Sequence, residues 1–111
     1  MMKHLYKVKD DSMAIEQITI VCFIKAKQNT RNIVKDKLMN LARMTRTEQG
    51  NLNYDLHILD SDDSMFVIYE NWLNQQALDN HMSQPYLKEF LASQEELLEK
   101  PVEGKICKIL K

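Results

Sequence analysis

The chain is poor in the residues that usually betray a function early. It has two glycines, two prolines and one tryptophan among 111 residues. So few glycines rule out a phosphate-cradling Gly-rich loop and any collagen-like period. Its two cysteines, Cys22 and Cys107, form no C-x-x-C and show no metal-ligand spacing. Both lie in apolar, strand-like runs, so they are expected as buried free thiols in a reducing cytoplasm. Neither sign of charge dominates: 15 Lys and Arg face 16 Asp and Glu, a net charge of −1. A nucleic-acid binder would show a basic footprint, and none is present. No apolar run approaches the roughly 20 residues of a membrane helix. The first eleven residues carry charge but no apolar stretch or small-residue cleavage site, so no secretory signal is expected.

What is present is enough apolar content, 44%, to build a core. The length suits one domain that hides roughly two thirds of its extended-chain surface. Residues 1–14 form a polar, lysine-rich extension with a weak strand-like patch at residues 4–8. Either Met13 is an internal start or the extension lies on a partner. The folded domain is expected over residues 15–111.

Residues 18–26 are the first strand. Ile18, Ile20, Cys22 and Ile24 fall on one side and Val21 and Phe23 on the other, which marks a strand covered on both faces. Asn29 or Thr30 offers an N-cap oxygen to a helix whose stripe is Val34, Leu38, Leu41, Ala42 and Thr45. Gly50 stands where a helix end favours a left-handed residue. The next strand alternates cleanly: Leu52, Tyr54, Leu56 and Ile58 point one way, Asn51, Asn53, Asp55 and His57 the other, as on an edge strand. Residues 60–64 read as a turn, and the Gly and distal Glu of a calcium loop are missing. Residues 65–72 form a second two-faced strand. Asn74 can cap a short helix with Ala77, Leu78 and His81; Ser83-Gln84-Pro85 punctuates it, and a longer helix runs from Tyr86 to about Glu99. Residues 105–110 are a last short strand.

Strand, helix, strand, strand, helix, strand predicts an α+β, ferredoxin-like βαββαβ domain with a four-stranded antiparallel sheet, its first and third strands central. Two helices cover only one face of such a sheet. The apolar second face of the central strands therefore predicts a homodimer joined sheet to sheet.

The stretch Glu48-x-Gly50-Asn51-x-x-Tyr54-Asp55, then Tyr69-Glu70-x-Trp72, then His81 nine positions on with Pro85 after it, resembles the antibiotic biosynthesis monooxygenase family. The likeness spans roughly residues 15–110. It implies a dimeric α+β barrel and a small-molecule substrate. Members of this family include enzymes that oxygenate quinols or polyphenols with molecular oxygen and no cofactor or metal. Others isomerise a phosphorylated quorum-sensing signal (autoinducer-2 processing), and others open haem. Residues 18–26 contain no Asn, which the haem-opening branch needs. The arginines Arg31, Arg43 and Arg46 lie on or beside the first helix, not in the compact cluster a phosphate would want.

Cofactor-free oxygenation needs a base near neutral pH, a dry pocket and a donor for the forming oxyanion. His81 is the candidate base and Glu70 its candidate partner, or an anchor for a substrate hydroxyl. Trp72 is a candidate stacking wall. Asn53, Asp55, His57 and Met82 are candidate substrate contacts, with Met44 and Met65 as further possible liners. Each has a structural alternative: Trp72 as a core plug, His81 as a helix-end cap, and Asn53, Asp55 and His57 as a solvated or interface face. The working expectation is a cytoplasmic, homodimeric monooxygenase of a small aromatic substrate. The alternatives are the isomerase and a non-catalytic small-molecule binding protein, with no nucleic acid, membrane, metal or cofactor involved.

Overall fold

The computed structural model describes residues 16–110, so the expected extension at residues 1–14 lies outside the described residues. The elements run β1 (Ile18–Lys25), a 3-10 turn (Gln28–Thr30), α1 (Arg31–Thr45), β2 (Asn51–Leu59), β3 (Asp62–Trp72), α2 (Gln75–Met82), α3 (Pro85–Ala92), α4 (Gln94–Leu97) and β4 (Glu103–Cys107). The strands pair antiparallel in the order β2-β3-β1-β4, the ferredoxin-like α+β arrangement, with β2 on an edge and β1 and β3 central.

Strand alternation decides which side chains meet the helices. The register aligns Ile20 with Glu70, Ile24 with Phe66, and Tyr54 with Glu70, so these residues share one face with Ile68 and Trp72. The helices cover that face, and α1 buries Val34, Leu38, Leu41, Ala42 and Thr45, the stripe its spacing predicts. Each large aliphatic side chain hidden this way contributes roughly 1.5–3 kcal/mol. Asn74 caps α2 as its sequence position suggests, its side chain accepting from the Ala77 N–H at 2.9 Å.

Several local features depart from expectation for identifiable reasons. Thr30 occupies the N-cap position of α1, but its hydroxyl donates to the Leu97 carbonyl at 2.6 Å instead of capping the helix. The expected long C-terminal helix breaks at Ser93, whose hydroxyl donates to the Phe90 carbonyl at 2.6 Å. The break frees residues 97–99 to run beside the end of β1, where Leu98 bridges Ala26 and the Glu99 N–H donates to the Lys25 carbonyl. The hairpin turn is shorter than residues 60–64. Asp62 and Ser64 join β3 because Lys25 on the neighbouring strand holds both, at 2.5 and 2.7 Å. That contact first, then two hydrogen bonds from Ser64, lowers the Asp62 carboxyl to about 2. Leu52 is the extra residue of a β-bulge and is exposed rather than buried beside Tyr54. Cys107 is also exposed, because β4 is an edge strand without cover, and Cys22 is half-buried; both thiols are free.

One contact fixes the turn between α1 and β2. Gly50 has φ +87°, and a Cβ built on it would lie 2.5 Å from the Ala77 Cβ. The turn is therefore seated directly on α2, and the Leu73 N–H donates to the Gly50 carbonyl at 2.8 Å. Gly50→Ala combines left-handed strain with overpacking and is expected to cost about 2–4 kcal/mol. Gly104→Ala, whose Cβ would meet only ordinary contacts at 3.8 Å and beyond, is expected to stay within about 0.5 kcal/mol. Urea unfolding of both variants checks this; equal losses would show that the Gly50–Ala77 approach is not a constraint.

Candidate active site

Between the covered face of the sheet and the helices lies a cavity of about 130 Å³. Its wall is mostly aliphatic and aromatic, with Ile20, Ile24 and Ile68 from the sheet and Leu41, Leu78 and Phe90 from the helices. Four of the residues that line it carry polar groups: Cys22, Tyr54, Glu70 and His81. Met82 also lines it and is 49% exposed, which places it at the rim.

His81 lies one helical turn after Ala77 on α2 and is 2% exposed. Its Nδ1 is 2.9 Å from Glu48 Oε2. The same oxygen accepts the hydroxyl of Tyr86 from the first turn of α3. Glu48 itself is buried, and its Oε1 has no hydrogen-bond partner among the described residues. The imidazole is held on its faces as well. Trp72 stacks at a ring-centroid distance of 4.5 Å and a tilt of 31°, and Tyr54 approaches edge-on at 5.7 Å. Among the described residues Nε2 makes no hydrogen bond, and neither does the Tyr54 hydroxyl.

Glu70 and Trp72, two apart on β3, point the same way, and the indole N–H donates to Glu70 Oε1 at 2.7 Å. The Cys22 thiol, a weak donor, reaches Glu70 Oε2 at 3.5 Å. Burial raises the Glu70 carboxyl above its ordinary value, against the opposing pull of the Trp72 N–H. Burial, then the nearby Glu70 charge, pushes the Cys22 thiol up to about 12, so Cys22 is a poor nucleophile at neutral pH. Burial likewise raises the Tyr54 hydroxyl well above its usual range, which keeps it a donor. Among the described residues no group of three or more His, Cys, Asp or Glu could hold a metal ion.

The structure thus gathers His81, Glu70, Trp72 and Met82 around one region of the covered face. Glu70 bonds the indole and not the imidazole; the partner of His81 is Glu48. Trp72 is fully buried, stacked on His81, and absent from the cavity wall. Asn53, Asp55 and His57 are not brought to the cavity at all. Alternation puts them opposite Tyr54, on the open face, where Asn53 bonds Asp55 and the Tyr69 carbonyl, each at 3.1 Å. Met65 shares that open face, and Met44 does not line the cavity. Glu48, Tyr54 and Tyr86 carry the polar geometry without having been singled out for it. Glu48 had two legible signals: it heads the stretch that carries the family resemblance, and it continues the buried stripe of α1 one turn beyond Thr45.

A small α+β domain with a polar-tipped apolar cavity between sheet and helices is the class that the fold and site define. The sequence profile of the antibiotic biosynthesis monooxygenase family matches residues 17–93, and the chain belongs to that family. It is 32% identical over 101 residues to the uncharacterized protein sll1783 of Synechocystis sp., spanning 91% of this chain and 69% of that one. It is 29% identical over 86 residues to the "Putative monooxygenase YcnE" of Bacillus subtilis, spanning 78% and 90%. Among solved structures, PA3566 from Pseudomonas aeruginosa superposes with a TM-score of 0.81 at 26% identity, covering 88% of this chain and 97% of that one.

The raised Glu70 carboxyl has a consequence for stability. A group whose folded value exceeds its unfolded value, here 4.5, supports folding fully at lower pH. That support is lost as pH climbs through the folded value. Glu70→Gln keeps an acceptor for the indole and cannot ionise. The melting temperature of the variant relative to the native chain is therefore expected to rise as pH increases from 4.5. A difference that stays constant with pH would contradict burial as the dominant influence on Glu70.

Proposed function

We propose that the chain is a cofactor-independent monooxygenase acting on a small aromatic substrate, a quinol or polyphenol, with one ring held in the cavity beside His81. The observation that carries this reading is the cavity itself: an apolar chamber of about 130 Å³ whose lining residues include His81, Tyr54, Cys22 and Glu70. An apolar cavity of about 150 Å³ is enough to accept benzene. The names of the family and of the B. subtilis relative agree with this reading.

In the proposed reaction His81 Nε2 takes a phenolic proton, and the electron-rich ring then reduces molecular oxygen. One oxygen atom forms a bond to a ring carbon and the other leaves as water. A hydroquinone becomes a hydroxyquinone, and the ring supplies all four electrons, so no external reductant is required. Tyr54, whose hydroxyl lacks a partner among the described residues, donates to the negative charge that develops on oxygen. Glu70 Oε2, opposed only by a weak thiol donor, accepts from a second substrate hydroxyl. The apolar wall keeps water out.

A phosphorylated substrate finds less support. No Lys or Arg lines the cavity, and the arginines are engaged elsewhere: Arg31 near Asp63, Arg43 with Asn40, and Arg46 with the Tyr54 carbonyl. The active unit is proposed as a homodimer joined through the open sheet face. There Phe23 is 37% and Tyr69 45% exposed, beside half-buried Val21, Met65 and Val67.

Oxygen uptake with a panel of hydroquinones tests the reading. The expected product is one oxygen heavier and two hydrogens lighter, and His81→Ala is expected to slow turnover by about 10²–10⁴-fold. Equal rates in both proteins would remove His81 from the mechanism, and tight capture without uptake would indicate a binding protein. Light scattering on the same sample is expected to give twice 13.1 kDa; a monomer mass would refute the dimer.

A further inference from the structure

We propose that Glu48 is the positioning residue of this site. It holds the neutral His81 ring in the tautomer with its proton on Nδ1, so that Nε2 presents a lone pair to the cavity, and Tyr86 fixes the carboxyl in that role. The geometry supports this without reference to any substrate. Only the activity part of the test below rests on the monooxygenase reading.

Glu48 is not part of the cavity wall, so it cannot touch a ligand there and must act through what it bonds. It bonds Nδ1 of His81, which leaves Nε2 as the ring nitrogen without a hydrogen bond among the described residues. In a neutral imidazole one nitrogen donates and the other accepts, and the partner of one nitrogen decides the state of the other. The direction of the Nδ1–Oε2 bond follows from carboxylate chemistry. A carboxylate oxygen only accepts, so Oε2 takes the Tyr86 hydroxyl and the proton it shares with His81 sits on nitrogen. Burial and the adjacent Glu48 keep the Tyr86 proton on its own oxygen, which preserves that direction.

The arrangement is also rigid. The Glu48 N–H donates to the Thr45 carbonyl at 3.0 Å, and the Asn51 N–H donates to the Glu48 carbonyl at 3.2 Å. The same turn is seated on Ala77 through Gly50, one helical turn before His81. Both members of the pair are thus referenced to one contact, Gly50 against the Ala77 Cβ. A purely structural role explains the carboxyl poorly, since burying it leaves Oε1 with no partner among the described residues.

The test is the two-bond proton–nitrogen NMR spectrum of the full chain with nitrogen-15 in its histidines, recorded at a pH where the ring is neutral. The native protein is expected to show His81 protonated at Nδ1 and bare at Nε2. Glu48→Ala is expected to move the proton to Nε2, and Glu48→Gln, whose amide oxygen can still accept, is expected to restore the native pattern. A native spectrum with the proton on Nε2, or an unchanged tautomer in Glu48→Ala, overturns the proposal. Should Glu48→Ala fail to fold, the native and Glu48→Gln spectra still decide. With a hydroquinone substrate, Glu48→Ala is expected to lower kcat by about 10²-fold or more with little change in KM, with partial recovery in Glu48→Gln. If the native protein consumes no oxygen, the proposed reaction fails while the tautomer remains measurable.

Discussion

Three segments of the chain meet at one carboxyl oxygen, Glu48 Oε2, and the rest of the site is arranged around that meeting. The turn after α1 supplies the carboxyl, α2 the imidazole and α3 the phenol. Polar groups taken out of water must find partners, so burying these three together forces them onto each other. The close seat of Gly50 on Ala77 sets how far the turn lies from α2. The stacked Trp72 ring, tied to Glu70, closes the other side of His81.

The two faces of the sheet divide the labour. The covered face holds the core and the cavity, and its polar side chains are few and largely bonded to one another. On the open face, Thr19 and Gln17 donate to Asn71, Asn71 donates to Asn53, and Asn53 donates to Asp55, a polar row that crosses three strands. Beside it lie Phe23 and Tyr69, with much of their surface in solvent. A face that is apolar at its centre and satisfied at its rim has the composition of a surface that meets another protein. Asn53, Asp55 and His57 lie on this face, away from the cavity.

The fold was legible because period and burial agree. The Val34–Leu38–Leu41–Thr45 spacing marks the face that α1 buries, and the two-faced β1 and β3 turn out to be the central strands. The site was legible only in part. His81, Glu70 and Trp72 could be named because their residue types are unusual in such places. Which carboxyl meets the imidazole depends on how a turn packs against a helix, and spacing along one element carries no trace of that. Asn53 and Glu70 are both candidate site residues by type, yet the pleat sends them to opposite sides of the sheet. Tyr86 follows Pro85 in an ordinary helix start, and only the bend between α2 and α3 brings its hydroxyl back to Glu48.

The central claim is that the cavity between sheet and helices receives a single phenolic ring and presents it to His81. A crystal structure of the protein soaked with a hydroquinone in the absence of oxygen tests it most directly. The account predicts the ring among Ile20, Ile68 and Phe90, with one hydroxyl within hydrogen-bond distance of Nε2 and Glu48 still on Nδ1. A ligand bound elsewhere with the cavity unfilled, or a ring whose hydroxyls face only the aliphatic wall, would contradict it.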